Sequence, residues 1–116
     1  MAEGAGASPL RLEIKREGTT AVVRCHGKLV AGVNNVFYAR VKELMPDSRR
    51  IVLDLTELTR VDSMGLGTLV RLYVHARSEN CELVLINLGK QVRQLLALTN
   101  LLTVFTVVGE HGIRIG

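Results

Sequence analysis

The chain has 116 residues, 47% of them hydrophobic and 22% charged, with a formal net charge of +4. A chain of this length fits one domain that buries roughly two thirds of its unfolded surface without disulfide or metal staples, and the composition excludes disorder, collagen and a coiled coil. Only Phe37, Tyr38, Tyr73 and Phe105 are aromatic, so the core must be aliphatic, and recognition of single-stranded nucleic acid by ring stacking is disfavoured.

Residues 1–9 are small and Gly-rich and end in Pro9, which predicts a flexible leader. They contain neither the basic nor the apolar region of a secretory signal, and no run approaches the length of a membrane span, so the chain reads as cytoplasmic with no membrane segment. From Leu10, the alternation of Leu10, Leu12 and Ile14 with Arg11, Glu13 and Lys15 has the period of a half-buried strand. Gly18-Thr19-Thr20 predicts a turn into a second strand over 21–26, closed by Gly27, and the two should form a hairpin.

The period then changes. Val33, Val36, Phe37, Val41 and Leu44 recur at helical spacing, with Asn34, Asn35, Tyr38 and Lys42 opposite, and Pro46 ends the segment. Residues 50–55 read as a central strand covered on both faces. A helix is predicted over 63–77, with Leu66, Leu69, Val70, Tyr73 and Val74 inward and Thr68, Arg71, His75 and Ser78 outward. Residues 83–86 form another strand and 89–99 a third helix, which turns Val92, Leu95 and Leu96 inward and ends at Asn100. Residues 104–108 supply a last strand. This order implies an α/β fold, with a central mixed sheet and helices packed mainly on one face.

The basic residues are scattered among acidic ones such as Glu13, Glu43, Asp54 and Glu82. They predict an ordinary solvated surface and no direct nucleic-acid partner. Cys25 and Cys81 lack CxxC spacing and nearby histidine ligands, so they read as reduced, partly buried thiols, and no metal site is expected. His26, His75 and His111 fall on a strand, a helix face and a tail, where boundary roles suit them better than catalysis.

One stretch departs from local rules: Arg60-Val61-Asp62-Ser63-Met64-Gly65-Leu66-Gly67-Thr68. Two glycines in the first turns of a helix each cost about 1 kcal/mol relative to Ala, so the absence of side chains there must serve something. Asp62 is a natural N-cap, and Ser63 is then the first helical residue, its hydroxyl exposed at a strand-to-helix corner. A nucleophile elbow would need Gly where Val61 stands. A P-loop would need more than Gly89-Lys90 followed by Gln91, and a dinucleotide fingerprint needs Gly where Val70 stands. A hydroxyl open to modification remains. Phosphorylation of Ser63 would add a charge of about −1.5 to −2, which the helix dipole tolerates but a docked apolar or acidic partner does not.

Together, residues 51–55, the run Val61-Asp62-Ser63-Met64-Gly65-Leu66-Gly67, residues 83–86 and residues 92–99 resemble the STAS domain, in particular the bacterial anti-sigma factor antagonists. The likeness covers about residues 10–108. It implies a STAS domain over 10–116 with its C-terminal helix short or missing, and a partner-switching module that catalyses nothing and carries no cofactor of its own. Unphosphorylated, such a module binds an anti-sigma factor that is also a GHKL-type serine kinase using ATP and Mg²⁺, and frees a sigma factor. Phosphorylation of the serine matching Ser63 switches it off, and a PPM-type phosphatase resets it. Asp62, Ser63, Met64, Gly65, Leu66, Gly67, Thr68 and Arg71 would form the partner-binding surface, together with Lys28 and Val30. The last two stand where members of the family commonly carry acidic residues. The other role that the resemblance implies is a STAS scaffold, in a stress-signalling assembly or an ABC lipid transporter, whose binding ignores phosphorylation.

Overall fold

The structure, a computed structural model, describes residues 9–100 and the strand backbones of 106–108 and 114–115. The elements follow one another as β1 (Leu10–Glu17), β2 (Thr20–Leu29), α1 (Asn34–Lys42), β3 (Arg50–Val61), α2 (Ser63–Ser78), β4 (Glu82–Ile86), α3 (Lys90–Leu98), β5 (Thr106–Val108) and β6 (Arg114–Ile115). A 3-10 turn over Met45–Asp47 separates α1 from β3, and Pro46 sits in its first turn. The strands form one mixed sheet in chain order, antiparallel at β1–β2 and β5–β6 and parallel between. The helices α1, α2 and α3 follow the parallel strands β2, β3 and β4 in turn and pack into one core, the one-sided layer that crossovers of the usual right hand running in one direction produce. Val23, Leu53 and Leu85 point to that face in register and join Phe37, Val41, Leu69, Leu72, Val92 and Leu96 in a single core. The mixed sheet with one helical layer is the architecture expected from the sequence.

Several boundaries and phases differ. Gly27 does not close β2. It adopts φ +106°, and a Cβ there would fall on the Pro9 carbonyl oxygen, which instead accepts a hydrogen bond from the Lys28 N–H at 2.8 Å. The strand bulges at this point and continues to Leu29. That extension gives Glu57, Leu58, Arg60 and Val61 partners in β2, so β3 runs on to Val61, with Leu58 and Val61 buried. In α1 the phase is shifted: Asn34 is buried, its Oδ1 accepting from the Gly32 N–H, while Val36 is 65% exposed. In α2 the expected wet residue Thr68 is buried, because its hydroxyl donates to the Met64 carbonyl and needs no water. Leu72 and Ala76 fill the core, and Val74, expected inside, is 60% exposed.

Asn100 takes the left-handed conformation expected of a helix stop. Cys25 and Cys81 are free and buried, more fully than the sequence suggested, and burial aided by the Asp54 charge pushes the Cys25 thiol up to about 12. Residues 1–8 of the expected leader, Val104 and Phe105 of the expected last strand, and His111 lie outside the described residues. So do residues 109–113 and 116, part of the stretch 109–116 where a short or missing C-terminal helix was expected; Arg114–Ile115 pairs as a strand.

Candidate protein-docking site at the start of α2

The end of β3 delivers the chain into α2 through a clamp built from three segments. Asp62 is the N-cap: Oδ1 accepts from the Gly65 N–H at 2.9 Å, and Oδ2 accepts from the Ala31 N–H, also at 2.9 Å. One carboxylate thus caps its own helix and ties it to the loop between β2 and α1. The N–H groups of Ala31, then of Gly65 and Met64, with the Arg60 charge nearby, hold the Asp62 carboxyl below the usual carboxylate range. From the other side, the Gln91 amide of α3 accepts from the Val61 N–H at 3.3 Å and donates to the Val61 carbonyl at 3.4 Å.

Within this clamp Ser63 is the first residue of α2 and is exposed. Among the described residues, its hydroxyl has no hydrogen-bond partner. Met64 beside it is 53% exposed. The two glycines serve different ends. A Cβ on Gly65 would fall on the Leu29 carbonyl oxygen, so the bare backbone lets α2 close against the end of β2, whereas a Cβ on Gly67 would meet nothing within 4 Å.

The residues expected at a partner surface therefore divide. Ser63, Met64, Gly67, Arg71 and Lys28 are exposed, and Asp62 and Val30 are half-buried. Gly65, Leu66 and Thr68 are buried and support the helix from below, which corrects their expected place at the surface. Sequence reasoning missed Ala31, Leu29 and Gln91. Nothing local marks them, since each acts across some thirty residues of chain.

Of the histidines, His26 Nε2 lies 2.8 Å from Glu13 Oε1 on the sheet, and His75 lies 3.6 Å from Glu79. His75 is twelve residues beyond Ser63 on α2, roughly 18 Å along the helix. Among the described residues, no three His, Cys, Asp or Glu stand together as a metal site, and no helix is long and apolar enough to cross a membrane.

The same arrangement of strands and helices recurs in known proteins. An anti-sigma factor antagonist from Mycobacterium paratuberculosis superposes with a TM-score of 0.75 at 19% identity, over 84% of each chain. The anti-sigma factor antagonist SpoIIAA, in its unphosphorylated form, superposes at 0.72 and 19% identity, over 88% of this chain and 90% of that one. The murine anion transporter Slc26a9 contains a similar fold, at 0.63 and 18% identity, over 72% of this chain but 14% of its own. At these identities the likeness is one of fold. In sequence, a STAS-domain containing protein of Pseudomonas aeruginosa is 31% identical over 91 residues, which is 78% of this chain and 90% of that protein. Residues 11–111 match the STAS domain family, to which this chain belongs.

Proposed function

We propose that this protein is a cytoplasmic anti-sigma factor antagonist that works by partner switching, with Ser63 as its phosphorylation switch. The observation that carries the proposal is the exposed Ser63 hydroxyl, unpartnered among the described residues at the first position of α2. Asp62 already caps the helix with one oxygen and holds the Ala31 N–H with the other. A phosphate on Ser63 therefore need not displace the cap, and the helix dipole favours its charge. The fold persists and the surface changes. The cost falls on whatever docks over Ser63, Met64, Gly67, Arg71, Lys28 and Val30, because a dianion at the centre of a contact must be desolvated or opposed. At about 4 kcal/mol that cost weakens binding roughly a thousandfold.

In this reading the unphosphorylated chain binds an anti-sigma factor of the GHKL serine kinase type and releases a sigma factor. The kinase transfers the γ-phosphoryl of ATP to the Ser63 oxygen as the hydroxyl proton leaves, and a PPM-type phosphatase hydrolyses the ester. The chain performs no catalysis and holds no cofactor or metal. Support comes from the fold shared with anti-sigma factor antagonists and from the geometry around Ser63.

The test is phosphopeptide mapping of the protein recovered from its source cells and after incubation with the kinase that co-purifies with it. One phosphate on Ser63 is expected; a phosphate elsewhere overturns the assignment. The same fold inside an anion transporter favours one other role, a scaffold indifferent to phosphorylation. Equal partner affinity of Ser63→Ala and Ser63→Asp would identify it.

A further inference from the structure

None of α1, α2 and α3 contains an Asp or Glu, yet together they carry Arg40, Lys42, Arg71, Arg77, Lys90 and Arg93. Two of these cations converge where α1 and α2 meet. The Arg71 guanidinium lies 4.2 Å above the Tyr38 ring, and the Lys42 ammonium is 5.8 Å from the same ring. Among the described residues, neither cation has a carboxylate within ion-pair distance. These two charges border a groove of about 350 Å³ lined by Tyr38, Val70, Arg71, Val74, His75 and Ser78. At the end of α2 beside it, the Glu79 carboxylate lies 3.6 Å from His75 Nε2.

The groove is continuous with the Ser63 end of α2. Met64, Gly67, Arg71 and Val74 follow one another at intervals of three and four residues, so they form a single exposed stripe down the helix. Its apolar members, Met64 at 53% and Val74 at 60% exposure, are among the few large hydrophobic side chains left in solvent.

We propose that the α1–α2 groove docks an acidic, amphipathic segment of a protein partner, whose carboxylates meet Arg71 and Lys42 and whose apolar side chains cover Val70 and Val74. The proposal deepens the partner-switching reading, on which the continuity with Ser63 rests. It names the chemistry of the partner: a segment carrying negative charge toward α2, which a phosphate on Ser63 also repels. Protein is favoured over nucleic acid on two observations. The stripe sets its one cation, Arg71, between the exposed aliphatic side chains Met64 and Val74 rather than rings, and Arg71 already occupies one face of the Tyr38 ring.

The test places a photo-crosslinking p-benzoylphenylalanine at Val74, and separately at Met64, in the full chain expressed in its source cells. The Val74 conjugate is expected to be a protein segment rich in Asp and Glu interleaved with apolar residues. Combining Lys42→Glu with Arg71→Glu should cut its yield about tenfold or more, through like-charge repulsion, while the melting temperature stays within a few degrees. If the double reversal perturbs folding, Lys42→Gln with Arg71→Gln should give a smaller loss in the same direction. A neutral or basic segment, a nuclease-sensitive conjugate, or a yield indifferent to these substitutions overturns the proposal. A conjugate at Met64 with none at Val74 overturns the groove and leaves the Ser63 surface standing. A conjugate at Val74 with none at Met64 overturns docking over Ser63 and leaves the groove, and silence at both overturns both.

Discussion

On the open face of the sheet, Glu13 meets His26 across β1–β2, Arg24 meets Asp54 across β2–β3, and Arg50 meets Glu82 across β3–β4. Side chains of opposite sign there pair between adjacent strands at Arg24–Asp54 and Arg50–Glu82. Within the three helices there is no Asp or Glu, the cations at Tyr38 have no carboxylate at ion-pair distance among the described residues, and Met64 and Val74 face solvent. A face whose charges already pair with each other gains little from a partner, since a new contact must first break an old one. A face with unanswered charge beside apolar surface gains from both. In the proposed reading the sheet face serves stability and the helical face recognition, and substitutions on the two should separate these properties.

The largest separation is expected at the helical end. Ser63→Asp should weaken capture of the unphosphorylated chain's partner about a hundredfold while leaving the melting temperature unchanged. Calorimetric titration together with a thermal melt checks both halves.

On the sheet face, Asp54→Ala should do the reverse. Asp54 is buried and accepts from Arg24, Thr56 and Asn87. Its loss leaves the donors of three residues without their acceptor and should cost about 2 kcal/mol in urea unfolding, with partner affinity retained. Burial by itself would raise the Asp54 carboxyl, but the Thr56 hydroxyl and amide, Asn87 and the Arg24 charge together bring it below the ordinary range. Its stabilising contribution is thus complete above about pH 4, the value of an unfolded aspartate, and is lost as pH falls through the lowered folded value. Urea midpoints measured from pH 6 down to pH 2 should drop less steeply for Asp54→Ala than for the parent.

The glycines of α2 give a finer division. Gly65→Ala should cost about 1–3 kcal/mol, because its methyl meets the Leu29 carbonyl and the helix must move away. Gly67→Ala, with open space around it, should gain up to about 1 kcal/mol of helix stability. Any loss of partner affinity in that variant reports close approach of the partner to α2. The smallest effect is that of salt: between about 0.05 and 0.5 M, partner affinity should fall severalfold through screening of Arg71 and Lys42, with little change in the urea midpoint.

Much of this division was legible in the sequence, and the rest was hidden for identifiable reasons. Alternation at Leu10, Leu12 and Ile14 and the mostly apolar run 51–55, interrupted only by Asp54, announced the strands. The phases of α1 and α2 were less clear. Asn34 and Thr68 are polar yet buried, each satisfied by a local hydrogen bond, while Val36 and Val74 are apolar yet exposed. Polarity alone does not reveal which residues find a partner. At the site, the half of the Asp62 clamp made with Gly65 is local and follows from capping rules. The half made with Ala31, and the grip of Gln91 on Val61, depend on tertiary approach. The missing carboxylates of the three helices were readable all along, but only the placement of Tyr38 against Arg71 shows where that asymmetry converges.

The most direct measurement is the affinity of the full chain for its captured partner when phosphoserine is incorporated site-specifically at position 63, set against the chain with serine there. Binding about a thousandfold weaker at an unchanged melting temperature is expected. Equal affinity of the two forms would contradict a switch at Ser63.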